Sequence, residues 1–323
     1  MRLSEIIGQP IATTTLARAI ETNRISHAYL FHGEAGVGKE TTARSFVNHL
    51  LCETRQACGS CSSCQSLKRN NNPYFYVLET DTSIKIQEIR SLKRDTQFKQ
   101  EQYNVWLIKD ADKMTLQAAN SFLKLLEEPP EYVVWILLTT NLASILPTIV
   151  SRCQVISFPR LSDDIVRKLL QEKVNNADQS KIDLVARMAR GSIGKALDLW
   201  DDQFIERRNW VVKQLVKLPT MDIPQVLGLS LTWEEKRDLV IRDLEQMLEW
   251  YRDLWCVKTK ATDSLHHIDY LHELSVTCEK YTKESLEQIT SLIIEMLTYL
   301  NRNVRVRFVL GHLLLQMRKG ALA

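Results

Sequence analysis

Gly33-Glu34-Ala35-Gly36-Val37-Gly38-Lys39 spells G-x-x-x-x-G-K, the spacing of a phosphate-cradling loop. Its glycines let backbone N–H groups curl around phosphate oxygens. The following helix adds a partial positive charge, and Lys39 neutralises the β and γ phosphates. The next position, where a Ser or Thr hydroxyl would ligate Mg²⁺, is Glu40. Thr41 and Thr42 follow, but one residue along a helix rotates a side chain by about 100°, so neither restores that hydroxyl. A carboxylate there either repels a triphosphate or binds the metal in an altered way, which puts ATP and Mg²⁺ binding in question. A catalytic site also needs a metal-holding acid at a strand end and, beside it, a glutamate that orients water. Here Asp110 can serve as the first, but Ala111 stands in place of the second, and Asp112 comes two residues on.

Cys52, Cys58, Cys61 and Cys64 offer four thiols within thirteen residues. That spacing suits one metal ion better than a disulfide framework, particularly in a chain with an odd cysteine count. Tetrahedral Zn²⁺ with four protein ligands leaves no open position, so its role would be structural. An iron–sulfur cluster and a redox switch of free thiols are the competing readings.

Short β-type runs alternate with helical patterns through the first half, the signature of a parallel sheet built from βαβ units. His27–Phe31 reads as a strand leading into the glycine turn. A helix follows whose Ala43, Phe46, Val47, Leu50 and Leu51 share one face. Phe75–Leu78, Val105–Ile108, Val133–Leu138 and Val155–Phe158 read as further strands, the first two as continuous buried ones. Between the third and fourth strands a helix shows the apolar stripe Leu116, Ala119, Leu123 and Leu126, and Pro129-Pro130 ends it. Strand signals cease near Pro159. The pattern predicts an α/β domain over 1–160, a small helical unit over 161–205 and an all-helical domain over 206–323. In the last of these, Val240, Leu244, Leu248, Tyr251 and Trp255, then Ile293, Met296, Leu297 and Leu300, form stripes at helical spacing.

A length of 323 residues accommodates two or three domains, and 45% hydrophobic with 25% charged residues is ordinary globular usage. A net charge of +3 is too small to imply a surface that coats nucleic acid or adheres to a membrane. The longest apolar run, Tyr132–Leu138, is far short of a membrane span, and the first five residues open no signal peptide, so the expected location is the cytoplasm. Arg302, Arg305, Arg307, Arg318 and Lys319 occupy the last stretch without an acid, which reads as a solvated face or a contact for an acidic partner or DNA.

Ile25 to Gly33, the four-cysteine cluster, Asn120 to Pro130 and Ser151-Arg152-Cys153, in that order, resemble bacterial DNA polymerase III clamp loaders. The resemblance covers residues 1 to about 200 by motif and the remainder by length. It implies an AAA+ fold: a P-loop parallel-sheet domain with a zinc knuckle, a small helical lid, and a helical collar that closes a five-subunit ring. It implies gamma or tau and delta subunits as partners, and through the complex the sliding clamp and primer-template DNA. Gamma and tau are similar but carry Thr after the loop lysine, Glu after the strand aspartate, and an arginine in a Gly-Ser-x-Arg lid motif. This chain has Glu40, Ala111 and Gly194 at those positions.

In the same family the arginine of Ser-Arg-Cys reaches the γ phosphate held by a neighbouring subunit. Arg152 is therefore the expected arginine finger in trans, a role that stabilises transition-state charge. Gly33, Gly36, Gly38, Lys39 and Asp110 would form a degenerate nucleotide site, with Ile6 to Gln9 facing adenine and Thr139 or Thr140 near the γ phosphate. The resemblance thus favours a ring subunit that does not hydrolyse ATP. The alternatives are an active gamma/tau-type ATPase, with Asp112 replacing the missing glutamate, and a DNA-binding zinc module fused to an inert P-loop domain.

Overall fold

The computed structural model describes residues 2–80, 82–95, 102–174, 178–233, 236–262, 265–302 and 304–321. The chain divides into two compact units, Met1–Leu197 and Asp198–Ala323.

The first unit is built on five strands, β1 (Ala28–His32), β2 (Phe75–Leu78), β3 (Asn104–Ile108), β4 (Val133–Thr139) and β5 (Gln154–Ser157). They pair in the order β2-β3-β4-β1-β5, all parallel. Nine helices belong to the described part of this unit: α1 (Pro10–Glu21), α2 (Lys39–Leu51), α3 (Ser62–Lys68), α4 (Ile86–Asp95), α5 (Leu116–Glu127), α6 (Pro147–Val150), α7 (Asp163–Lys173), α8 (Gln179–Met188) and α9 (Ile193–Asp198). The strands β1, β3 and β4 are buried along their lengths, as continuous apolar runs in a doubly covered parallel sheet should be. β2 differs from that expectation. It lies at the sheet edge with one neighbour, and Val77 is exposed.

One side of the sheet packs Tyr29, Phe31, Val105 and Ile136 against the Ala43, Phe46, Val47, Leu50 and Leu51 face of α2, the stripe read from spacing. The other side packs Trp106, Trp135 and Leu137 against α5. Here the buried face is Ala118, Ala119, Phe122, Leu125 and Leu126, while Leu116 is exposed, so the expected stripe is rotated. The cause is Phe122, which buries the largest apolar surface on the helix and meets Trp135 edge-on, ring centroids 5.2 Å apart.

The second unit is all-helical: α10 (Asp202–Lys217), α11 (Ile223–Thr232), α12 (Arg237–Lys258), α13 (Leu271–Cys278), α14 (Lys283–Asn301) and α15 (Val306–Ala321). Val240, Leu244 and Tyr251 of α12 share one core with Ile293, Met296 and Leu300 of α14 and with Leu313, Leu314 and Met317 of α15. Leu248, Trp255 and Leu297 pack at its edge, half-buried. The stripes at helical spacing are therefore core. Helices α7 and α8, expected in a separate small unit, fall within the first unit.

Candidate functional site

In an open parallel sheet, ligands gather beyond the carboxyl ends of the strands. β1 ends at His32 and delivers the glycine loop, β3 ends at Ile108 and delivers Lys109 to Asp112, and β4 ends at Thr139. Together with Ile6, Ile7 and Gln9 and with Leu161, Leu169, Ile193 and Leu197, these segments enclose a cavity of about 440 Å³. Its volume lies within the range of small-molecule sites. Gly36, Gly38, Lys39 and Asp110 line it, whereas Gly33, expected with them, does not and instead accepts the Lys39 ammonium on its carbonyl.

Within the loop, Lys39 is nearly buried, and its Nζ donates to the carbonyl oxygens of Gly33 and Glu34, the latter at 2.6 Å. Burial lowers its pKa, with Asp110, Asp112 and Glu34 pulling the other way. Glu40 is held by two cations, Arg44 at 2.8 Å and Lys109 at 2.9 Å. Lys109 also reaches Glu79 at 3.0 Å. Partial burial opposes ionisation of Glu40, but the hydrogen bonds and charges of Lys109 and Arg44 outweigh it and hold the carboxyl below its ordinary range. Glu40 is thus committed to an ion-pair network at the loop's flank.

Asp110 adopts a left-handed backbone (φ 48°) and pairs with Lys113 at 2.9 Å, while Ala111 is buried. Asp112 accepts a 2.6 Å hydrogen bond from the buried hydroxyl of Thr139, which is also shared with the carbonyl of Asn141. Of the two threonines considered near the γ phosphate, Thr140 lines the cavity and Thr139 is taken up by Asp112.

The segment Gly191 to Gly194 lies directly on the phosphate loop. Ser192 Oγ donates to the carbonyl of Ala35 at 2.9 Å, and the Gly194 amide donates to the carbonyl of Gly36 at 3.1 Å. Gly36 has φ +73°, and a Cβ placed on Gly194 would stand 2.8 Å from Gly36 Cα. Two backbones meet here with no room for a side chain.

The four cysteines form the second cluster. Their sulfurs all lie within 4.8 Å of one another. A tetrahedral site with metal–sulfur bonds of about 2.3 Å needs sulfurs about 3.8 Å apart, so the donor set fits such an ion. Cys52 ends α2 and Cys61 caps α3, so two helix termini hold the cluster. The amides of Cys58, Cys61 and Cys64 donate in turn to the sulfurs of Cys52, Cys58 and Cys61, each at 3.4 Å. Such N–H···S bonds favour thiolates. Burial raises the Cys52 pKa, but hydrogen bonds from Thr54 and the Cys58 amide bring it down to about 5. Burial and the neighbouring sulfurs push Cys64 up to about 12. Four adjacent thiolates need a cation, and protons take part of that role when none is bound.

Arg152 follows α6 at the surface of the first unit. Its Nη2 lies 2.8 Å from Glu127 Oε1, and Nη1 donates to the carbonyl of Thr148 at 3.1 Å. The next residue, Cys153, is half-buried and packs against the core, and burial pushes its thiol up to about 12. The pair Arg152-Cys153 thus joins a reaching cation to an anchoring apolar residue.

A family model described as DNA polymerase III, delta subunit, matches residues 8–162. DNA polymerase III subunit delta' of Bacillus subtilis is 29% identical over 322 residues, which cover 97% of this chain and 97% of that protein. The chain belongs to the DNA polymerase III clamp-loader family. Clamp-loader relatives of another kind match as well: subunit tau/gamma of Haemophilus influenzae is 33% identical over 278 residues, covering 82% of this chain and 40% of that one. The chain therefore spans about two fifths of the tau/gamma relative's length. A solved structure of a DNA polymerase III gamma subunit-related protein from Thermotoga maritima aligns over 95% of this chain and 99% of that one, at 21% identity and a TM-score of 0.47.

Against this clamp-loader background, sequence reasoning missed the residues that neutralise Glu40. The i,i+4 spacing of Glu40 and Arg44 was the available signal for one of them; Lys109, just past the end of β3, is remote in sequence and gave none. Gln9 was read only as part of the segment Ile6 to Gln9 expected to face adenine. It is buried, and its Nε2 ties Val37 O at 3.1 Å to Pro159 O at 2.9 Å.

Proposed function

We propose that this chain is the delta-prime subunit of a bacterial clamp loader, a ring member that frames the complex and lends Arg152 to ATP held by an adjacent gamma or tau subunit. The complex loads the sliding clamp onto primed DNA during replication. In this reading the first unit is an AAA+ domain with its lid, and the second unit is the collar that joins gamma or tau and delta in a five-subunit cytoplasmic assembly. No described helix is long and apolar enough to cross a membrane, which agrees with that location.

One observation carries the reading: three positions of the cis catalytic apparatus have non-catalytic occupants, each accommodated by its surroundings. Glu40 is sequestered by Arg44 and Lys109. Ala111 is buried where a water-orienting acid is needed. Gly194 packs backbone to backbone on Gly36, where the arginine of an active lid would find no space. Arg152, by contrast, keeps an exposed guanidinium. A site that has lost its own chemistry and retained a reaching cation acts on a neighbour's phosphate.

Zn²⁺ is the metal we assign to Cys52, Cys58, Cys61 and Cys64. When bound it supplies a closed, redox-inert cross-link between the end of α2 and the start of α3. The deciding experiment for the whole reading is steady-state ATP hydrolysis by the isolated chain. Background turnover, unaltered by Lys39→Ala, is expected; turnover that Lys39→Ala abolishes would make the chain a gamma/tau-type ATPase.

A further inference from the structure

The turn between α14 and α15 gathers cations and exposed aromatic surface on one end of the second unit. Arg302 and Arg305 are exposed, as is Arg307 at the start of α15. Phe308 is 70% exposed, the most exposed large apolar side chain among the described residues, and Tyr299 and Val304 are each 37% exposed. Backbone hydrogen bonds fix the turn: the amides of Arg302 and Val304 both donate to the carbonyl of Tyr299, each at 3.1 Å. Arg237 at the start of α12 braces it by donating to the carbonyls of Leu300 and Val304, the latter at 3.1 Å. That contact brings the exposed Lys236 to the same end.

The segment from Tyr299 to Phe308 itself contains no acid. From Arg302 to the last residue the chain has five cations and no acid. On the neighbouring elements, Glu295 accepts the hydroxyl of Tyr299 at 2.6 Å, Asp238 is exposed beside Arg237, and Glu234 and Glu235 precede Lys236 in the sequence, so Lys236 and Arg237 are offset by acids of their own segment. Arg302, Arg305 and Arg307 thus stand within six residues with no acid among them, while Arg318 and Lys319 lie in the last turn of α15, away from this end. A cationic surface with no aromatic would fit any polyanion. Two exposed rings flanking the arginines narrow the choice, because unpaired bases offer π-faces to stack while phosphates meet guanidinium groups. A duplex keeps its bases stacked internally and gains nothing from Phe308.

We infer that the exposed side chains of Tyr299, Arg302, Arg305 and Phe308, between the end of α14 and the start of α15, form a binding surface for single-stranded DNA, with Arg302 and Arg305 on phosphates and Phe308 stacking on a base. The inference does not depend on Arg152 or on the fate of the phosphate loop. It is tested with the full chain and a fluorescent oligothymidylate, by anisotropy across a salt series. Binding that weakens with salt is expected. The double variant Arg302→Ala/Arg305→Ala should reduce the magnitude of the log–log salt slope by about 1.4, since each lost phosphate contact of a single strand accounts for about 0.7. Phe308→Ala should weaken binding about tenfold or more while leaving the slope in place. All three side chains are exposed, so unchanged circular dichroism and melting are expected to accompany these losses. Undetectable binding at low salt, an affinity the variants do not alter, or equal affinity for a duplex of the same length would overturn the inference. So would variants that lose association with a partner subunit yet bind oligothymidylate normally, which would make the turn a protein contact.

Discussion

Arg152 and Glu127 meet at the end of α5, guanidinium Nη2 to carboxylate Oε1 at 2.8 Å, with Nη1 on the carbonyl of Thr148. Both side chains are more than a third exposed, so the pair is screened by water and contributes little to folding. Glu127 holds the arginine at the surface without burying it; with Nη1 also on Ser151 Oγ at 3.5 Å, two of its five N–H donors remain for another acceptor.

This exposure yields the first prediction. Glu127→Ala and Arg152→Ala should each change the unfolding free energy of the isolated chain by less than about 1 kcal/mol. Urea denaturation measures it. A loss of several kcal/mol would make Arg152 a structural strut of the first unit.

Gly194 supplies the second. Replacing it by Arg, the residue gamma and tau carry there, forces a Cβ to 2.8 Å from Gly36 Cα. The contact is backbone against backbone, so no side-chain rotation relieves it, and Gly194→Arg should cost about 1–3 kcal/mol. Hydrogen exchange should show α9 losing protection along with residues 35–38. Full protection and unchanged stability would mean that the close approach carries no stabilisation.

The cysteine cluster leads to a third. Purified chain should contain one zinc per molecule, and removal by a chelator, or Cys61→Ser, should unfold the 52–64 segment, because binding energy at such a site is folding energy. Metal analysis with proteolysis of the segment reads this out. Chain that is zinc-free as isolated and equally resistant to protease would remove the metal from the account.

How much of this was legible beforehand varies with the reach of the interaction. The five strands, the phosphate loop and the α2 face were readable because each follows from the period or spacing of neighbouring residues. The face of α5 was misassigned, since Leu116 and Phe122 fit helical stripes equally well and only Trp135, on another strand, favours Phe122. Glu40 was read as a liability to a phosphate ligand. Its partner Lys109 follows the end of β3, and no local pattern announces a salt bridge between the first turn of a helix and a loop remote in sequence. The lid contact was legible only as a missing arginine. That Gly194 is needed for packing on Gly36 is a fact of two backbones meeting in space.

The second unit offers a pH-dependent prediction. Asp253 is fully buried and accepts hydrogen bonds from the amides of His266 and His267 and from His267 Nδ1, at 2.9, 2.8 and 2.9 Å. Burial opposes its ionisation, but the His267 side-chain and backbone hydrogen bonds outweigh it and hold its pKa below the ordinary value. A carboxyl depressed in the folded state contributes stability above its unfolded pKa, about 3.9, and loses it as pH falls below that value. Asp253→Asn should therefore destabilise the chain by about 3 kcal/mol at pH 7. The difference from the parent should shrink as pH drops below about 4. Urea unfolding at several pH values tests this; a constant difference throughout would contradict it.

The most direct test of the central claim is ATP hydrolysis by a clamp loader reconstituted from this chain with gamma or tau and delta subunits, stimulated by primed DNA and clamp. Arg152→Ala should assemble normally, yet lower that hydrolysis and clamp loading, because a guanidinium in trans contributes about 10³ to 10⁵ at the site it serves. Undiminished hydrolysis and loading by a correctly assembled Arg152→Ala complex would contradict the account.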